Sequence, residues 1–200
     1  MEVEPQFIAL LKAYWWFIPL LVVSCFFSST VGKGLINEWR VRLSLSRSFT
    51  KPEYRQLHDL SLPGAADNDT IDHLIISAYG VFIIETRHMR GWIYGNEDQP
   101  FWTQKSHKKS LRFANPLLRN QHLSNELAKT LGLDNEYVHH TVCFIDSHRF
   151  KTPMPENVTS SDTILSYIRS FNSRVLTDRQ TRELYQSIRK SSFSPNWKEI

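Results

Sequence analysis

Apolar residues dominate the first part of the chain, where residues 7–27 read FIALLKAYWWFIPLLVVSCFF and carry one charge, at Lys12. A helix needs about 20 apolar residues to span the hydrocarbon core of a bilayer. Tyr14, Trp15 and Trp16 are amphipathic rings of the kind found at the membrane interface. The pattern therefore predicts one N-terminal transmembrane helix.

The two sides of this apolar segment differ in charge. Glu2 and Glu4 precede it, and four basic residues follow it: Lys33, Arg40, Arg42 and Arg47. Because basic flanks stay in the cytoplasm, we expect a single-pass protein of the inner (cytoplasmic) membrane with its domain on the cytoplasmic side. The alternative is a lipoprotein, since residues 22–25 loosely match a bacterial lipoprotein cleavage site with the lipid on Cys25. That processing would place the domain outside the cytoplasm.

The clearest pattern after the apolar segment is a pair of β-branched runs. Residues 71–77 and 81–87 are joined by Ala78, Tyr79 and Gly80, which predicts a β-hairpin. Further strands are predicted at residues 54–60, 91–95, 101–103 and 137–146.

Helices are predicted from capping residues and apolar spacing. Residues 32–45 have mixed helical spacing, and Asn115 followed by Pro116 opens a helix that ends before Gly132. Later helices cover residues 164–170, capped by Ser161 and Asp162, and 178–189, capped by Thr177 and Asp178. Strands interspersed with helices predict a mixed α/β domain at residues 31–190, between an anchor at 1–30 and a polar tail at 191–200.

Composition fits one globular domain after the anchor. Of the 200 residues, 41% are hydrophobic and 22% charged, which excludes wholesale disorder. The net charge of +4 fits an anionic partner such as nucleic acid or the inner leaflet, and equally fits solubility alone. The 2 cysteines and 8 histidines lack the spacing of a disulfide framework or a zinc site.

Two carboxylates interrupt the arms of the predicted hairpin. Asp72 and Glu85 lie near its open end, and converging carboxylates suit a hard cation such as Mg²⁺ or Mn²⁺. Arg87, two residues after Glu85, points to the same face of the strand. The alternative is structural, with Asp72 pairing His73 or Arg87.

The pattern Asp…Glu-x-basic on a hairpin, after a helix that carries Glu38, resembles the restriction-endonuclease-like PD-(D/E)xK nucleases. Several further motifs resemble the nuclease-related domain (NERD) in particular, with a match extending to about residue 190. They are Gly32-x-Gly34, Leu60-x-Leu-Pro63, Ile71-Asp72-His73, Gly80-Val-Phe-Ile-Ile-Glu85-Thr86, Gly91, Trp102 and Asn115-Pro116.

The resemblance implies a restriction-endonuclease-like core, a mixed sheet flanked by helices, following a transmembrane helix. It also implies metal-dependent phosphodiester hydrolysis in DNA processing, with Glu38, Asp72 and Glu85 as metal ligands and residue 87 as base or charge stabiliser. Two positions depart from the family pattern. The family usually has lysine where Arg87 stands and glutamine where Arg119 stands, and arginine cannot act as a general base because it is never deprotonated.

Two functions stay open at this point. The first is a membrane-anchored, Mg²⁺-dependent nuclease acting on DNA or RNA, in which Arg87 stabilises the phosphate. The second is a degenerate module that binds nucleic acid or a partner protein at the membrane. The aromatic residues Trp92, Phe101 and Trp102 are predicted to be core rather than a base-stacking platform. The basic run at residues 105–112 is predicted to be a solvated loop, with a phosphate-backbone contact as the alternative.

Overall fold

A computed structural model of the chain describes residues 16–29, 53–62, 70–106, 109–145 and 148–190. The predicted helix at residues 32–45, including Glu38, and the tail at 191–200 lie outside the described residues. The strands are β1 Tyr54–Ser61, β2 Thr70–Ser77, β3 Gly80–Arg87, β4 Gly91–Tyr94, β5 Phe101–Ser106, β6 Lys109–Ala114, β7 Val138–Phe144, β8 His148–Phe150 and β9 Val158–Ser160. The helices are α1 Phe17–Ser28, α2 Pro116–Leu131, α3 Ile164–Ser170 and α4 Asp178–Lys190, with a short 3-10 helix at Asn135–Tyr137.

Helix α1 lies in the first of two compact units, residues 1–40, and all the other elements belong to the second, residues 41–200. It has 12 residues. Within the described ranges, no helix combines the length and the apolar character needed to cross a membrane. Residues 7–15 of the predicted anchor lie outside those ranges, so the anchor and the domain boundary at residue 30 stay predictions.

The first sheet has the strand order β1-β2-β3-β7-β9. Strands β1, β2 and β3 pair antiparallel, and β7 and β9 extend the sheet in parallel. The strand predicted at residues 54–60 and the hairpin predicted at residues 71–87 are thus confirmed. Parallel pairing of β3 with β7 requires a long crossover, which runs through the second sheet and α2.

The hairpin turn fixes the register of β2 against β3. Gly80 has φ +131°, a conformation that favours glycine, and a side chain there would collide with the ring of His139. The Ser77 hydroxyl accepts a hydrogen bond from the backbone N–H of Tyr79 and donates one to the Gly80 carbonyl. Ser77 therefore lies opposite Gly80, and this first pair sets the register of the remaining residue pairs between β2 and β3.

Helices cover both faces of this sheet because alternate residues of a strand point to opposite faces. Leu74 and Ile76 of β2 pack in one core with residues of α2 and α4. Ile75 packs in the other core with residues of α3. The predicted mixed α/β fold, a sheet flanked by helices, is confirmed.

The second sheet has the strand order β6-β5-β4-β8, with β4 and β8 parallel. The predicted pair β4–β5 is present, but the loop predicted for residues 105–112 is wrong in its described part. Lys105 lies in β5, and Lys109 and Arg112 lie in β6. Strand β6 lies at the edge of the sheet, where backbone pairing with β5 and a few apolar residues that face inward are enough to form a strand. In β6 the ring of Phe113 packs on the core.

Helix α2 has both predicted ends. The Asn115 side chain accepts a hydrogen bond from the Leu117 N–H at 2.9 Å, and Gly132 adopts a left-handed conformation with φ +64°. The cap predicted for α3 at residues 161–162 is wrong, because Thr163 takes the N-cap position. The cap of α4 is confirmed, since the Thr177 hydroxyl accepts from the Gln180 N–H at 3.2 Å.

Candidate active site

The register of the β2–β3 hairpin brings the two predicted carboxylates together. The paired residues run from Ser77 opposite Gly80 to His73 opposite Ile84. One step further along both strands, Asp72 comes opposite Glu85, and both residues lie on the face of the sheet that α2 and α4 cover. The hairpin predicted from sequence therefore places its two acidic residues side by side.

The carboxylate of Asp72 is fixed by Thr86. Its Oδ2 atom accepts hydrogen bonds from the Thr86 backbone N–H at 2.7 Å and from the Thr86 hydroxyl at 2.9 Å. These bonds form where the regular ladder between β2 and β3 ends. Thr86 was part of the sequence motif but had no predicted role, and the structure shows that it orients Asp72. The structural alternative named His73 or Arg87 as the partner of Asp72, and the structure gives Thr86 as the partner.

Glu85 is buried, with 5% of its surface exposed, and two arginines surround its carboxylate. Oε1 forms an ion pair with Nη2 of Arg87, and Oε2 lies 3.3 Å from Nη1 of Arg119. Burial raises the pKa of Glu85 above its ordinary value, while Arg87 and Arg119 act to lower it and Asp72 acts to raise it again. Desolvation is thus the largest influence, and the two guanidinium groups offset part of it.

The two arginines reach Glu85 from different elements. Arg87 follows it by two positions on β3 and therefore shares its face, as predicted. Arg119 comes from the first turn of α2, and its Nη2 also donates to the Thr70 carbonyl at 3.4 Å. The two side chains are each 33% exposed, so both guanidinium groups reach solvent.

Helix α2 is held in place beside the site by a buried amide. Asn120 is fully buried, and its Nδ2 donates to the carbonyl of Thr141 on β7 at 2.9 Å. This bond fixes the helix turn that carries Arg119. Asn120 was missed in the sequence, since a buried amide cannot be distinguished from a surface one when its neighbours in the fold are unknown.

The carboxylates of the site fit a hard divalent cation. Glu85 Oε2 is buried and accepts no hydrogen bond from the described residues, and both bonds to Asp72 go to Oδ2, so Oδ1 can ligate. Mg²⁺ is typically held by one or two carboxylates together with waters and substrate phosphates. Among the described residues, no three His, Cys, Asp or Glu side chains group as a metal site. Glu38, the predicted third ligand, lies outside them.

Comparison with known proteins identifies the family. A model of the nuclease-related domain matches residues 33–145, more than half of the chain. The chain belongs to the nuclease-related domain family. The match contains all the predicted site residues of this NERD protein, as well as Arg119. It ends before α3 and α4, although the sequence motifs suggested a match to about residue 190.

An uncharacterized protein of Bacillus anthracis is 38% identical to the NERD protein over 89 residues. The aligned segment covers 44% of this chain and 42% of that relative, so the chain spans less than half of the relative's length. No solved structure matches the chain.

Proposed function

We propose that this NERD protein is a divalent-cation-dependent nuclease that hydrolyses phosphodiester bonds of DNA or RNA at the β2–β3 hairpin. The observation that carries the proposal is the convergence of four charged side chains at one strand end: Asp72, Glu85, Arg87 and Arg119. Two carboxylates can hold Mg²⁺ or Mn²⁺, and two guanidinium groups can contact a phosphate. Glu38 is proposed as a further ligand on the strength of the family resemblance.

The residues of the site have separable roles in this proposal. Asp72 and Glu85 would hold the cation, which when bound lowers the pKa of water and neutralises charge that builds on the phosphate. Thr86 keeps the Asp72 carboxylate in one orientation. Arg87 stays protonated throughout, so it stabilises negative charge and does not accept the proton of the attacking water.

Phosphate binding requires the arginines to exchange partners. In the structure both guanidinium groups contact Glu85. A phosphodiester offers two charged oxygens that an arginine can contact as a bidentate pair, whereas in the structure each arginine contacts a single oxygen of Glu85. Because one-third of each arginine side chain is exposed, Arg87 and Arg119 can reach a phosphate from solvent while Glu85 turns to the cation.

Cleavage by the purified full chain tests the proposal. Plasmid and single-stranded DNA should be cut in Mg²⁺ or Mn²⁺ but not in EDTA, and Asp72→Asn should abolish cutting. Asp178→Asn is the matched control, because Asp178 lies on α4 beyond the family match and pairs with Arg174. Cutting that survives Asp72→Asn, or that is lost equally with Asp178→Asn, would contradict the proposal.

A second candidate is a nucleic-acid-binding module without turnover. The observation that favours it is the double ion pair of Glu85, in which guanidinium groups stand at the two positions where the family pattern has lysine and glutamine. Arg87→Lys distinguishes the candidates. If the native chain retains DNA without cutting it and Arg87→Lys gives Mg²⁺-dependent cutting, the binding module is the correct function.

We further propose that the apolar segment at residues 7–27 tethers this domain to the cytoplasmic face of the inner membrane. The support is the length of the apolar run and the basic residues that follow it. Retention of the chain in membranes washed with alkaline carbonate, together with an intact N-terminus by mass spectrometry, tests the tether. Loss of residues 1–24 with a lipid on Cys25 would show a lipoprotein instead.

A further inference from the structure

The outer face of the second sheet carries aromatic side chains that sequence reasoning assigned to the core. Trp92 and Phe101 are 49% and 47% exposed, so that prediction is wrong for both of them. Tyr94, two residues after Trp92 on β4, lies on the same face and is half-buried. Only the third predicted core residue, Trp102, is fully buried.

Basic side chains alternate with these rings across the strands. Trp92 of β4 lies directly opposite Lys105 of β5 and opposite Arg149 of β8. Arg112 of β6 lies opposite Thr103, two residues from Phe101 and hence on the same face. Residues that are directly opposite in a sheet share a face, so rings and cations form one mixed surface. We call it the aromatic–basic face; its rings are Trp92, Tyr94 and Phe101, and its cations are Lys105, Arg112, Arg149 and Lys151.

Each ring of this face has its own cation. Lys151 Nζ lies 5.0 Å from the ring centre of Trp92, Lys105 Nζ lies 5.1 Å from that of Tyr94, and Arg112 Cζ lies 4.1 Å from that of Phe101. Such contacts hold exposed rings in defined orientations, which reduces the entropy that a stacking ligand would otherwise have to remove.

The opposite side of the sheet makes the aromatic–basic face rigid. Trp102 packs against Phe144 of β7 and Phe113 of β6, and its indole N–H donates to the Asn96 carbonyl at 2.8 Å. Ile93 of β4 is buried in the same core. The exposed rings therefore stand on strands that are fixed from below.

The chemistry of the face identifies the partner. The sequences of β4, β5, β6 and β8 contain no Asp or Glu, so the surface complements a polyanion. Aromatic rings on a sheet stack on unpaired bases, whereas the bases of a duplex already stack on one another. We propose that the aromatic–basic face binds single-stranded nucleic acid, with Trp92 and Phe101 stacking on bases and the lysines and arginines contacting phosphates.

The face lies close along the chain to the candidate active site. Arg87 ends β3 and Gly91 begins β4, so four residue steps separate them, at most about 14 Å of extended chain. A strand held on the face can therefore extend toward the hairpin. The statement that the proposed nuclease acts on single strands rests on the proposed function. The binding of single-stranded nucleic acid by the aromatic–basic face does not depend on that function.

Equilibrium binding of the full chain to a fluorescent oligothymidylate of about 15 nucleotides, the upper size for one single-strand module, tests the proposal. EDTA is present throughout, so that cutting plays no part. Trp92→Ala and Phe101→Ala should each weaken binding about 5- to 150-fold, the loss expected for one stacked base. Leu111→Ala is the matched control, because Leu111 is 56% exposed on the same sheet but faces the other way, opposite Gln104.

Salt dependence separates the role of the cations from that of the rings. Arg112→Gln and Lys151→Gln should each reduce the slope of log affinity against log salt by about 0.7, the value for one phosphate contact with a single strand. Trp92→Ala should lower affinity and leave that slope unchanged. Circular dichroism and thermal melting of every variant establish that the fold is retained.

Three results would overturn the inference. The first is oligothymidylate binding that Trp92→Ala and Phe101→Ala leave intact, and the second is duplex DNA that competes as well as the single strand. The third is that Trp92→Ala and Phe101→Ala lose binding to phosphatidylglycerol vesicles while their binding to the oligonucleotide is unchanged. That result would make the face a lipid-binding surface. Binding is measured in EDTA and cutting in Mg²⁺ or Mn²⁺, so failure of the nuclease proposal and failure of this one are distinguishable.

Discussion

Replacing Thr86 by valine exchanges one hydroxyl of the candidate active site for a methyl group and tests whether Asp72 is positioned for a cation. Valine keeps the shape and the β-branched character that suit strand β3. The backbone N–H of residue 86 still donates to Asp72 Oδ2, at 2.7 Å in the native chain. Only the hydroxyl donor at 2.9 Å is lost.

The magnitude follows from the charge and exposure of this bond. A hydrogen bond to a charged group contributes about 1.5–3 kcal/mol. Thr86 is half-buried, so water replaces part of the lost donor and the lower end, about 1.5 kcal/mol, applies. Each 1.4 kcal/mol corresponds to a factor of ten, so Thr86→Val should weaken cation binding about 10-fold. This agrees with the effect of removing a partner of a metal ligand, about 10- to 100-fold.

The assay is Mn²⁺ binding by electron paramagnetic resonance, which reports affinity whether or not the chain cuts DNA. Thr86→Ser keeps the hydroxyl and serves as the control that should restore near-native affinity. Thermal melting of both variants measures the structural part of the change. If Thr86→Val and Thr86→Ser bind Mn²⁺ equally, the hydroxyl does not position a ligand, and the assignment of Asp72 as a ligand oriented by Thr86 is refuted.

Two further predictions concern the core and the pH dependence of stability. Burial raises the pKa of Glu85 in the folded state, so the free energy of unfolding should fall as the pH rises from 4.5, the ordinary pKa, through the raised pKa. Urea titrations across this pH range should show that Glu85→Gln loses this dependence. Parallel pH profiles of the native chain and the variant would contradict the prediction. Gly95→Ala would drive a methyl group into the buried ring of Trp102. It should cost about 1–3 kcal/mol of stability, and an unchanged melting temperature would contradict that.

The parts of the fold predicted from sequence are those encoded by local pattern. The hairpin follows from two β-branched runs and Gly80, whose positive φ fixes the register that places Asp72 opposite Glu85. Helix α2 follows from Asn115 at one end and Gly132 at the other. In each case the deciding residue acts on neighbours only a few positions away along the chain, so no tertiary information is needed.

The parts that failed depend on which neighbours the fold supplies. The alternation of Trp92, Ile93 and Tyr94 indicates a strand with two different faces but not which face is covered. The core formed by Ile93, Trp102 and Phe144 settles that choice, and it leaves Trp92 outside. Strand β6 was missed for the same reason, since its charged residues are stabilised by pairing with β5 rather than by burial.

The two departures from the family pattern act on one group and so are better regarded as a single change. Arg87 and Arg119 are 32 residues apart in the chain, yet both contact Glu85. A buried carboxylate with one cationic partner has a higher pKa than one with two, because each guanidinium offsets part of the effect of desolvation. Arginine at either position therefore favours a charged Glu85, which is the state that ligates a cation. Replacing one arginine alone by a neutral residue would shift Glu85 toward the neutral acid, so the effect of each such substitution depends on the residue present at the other position.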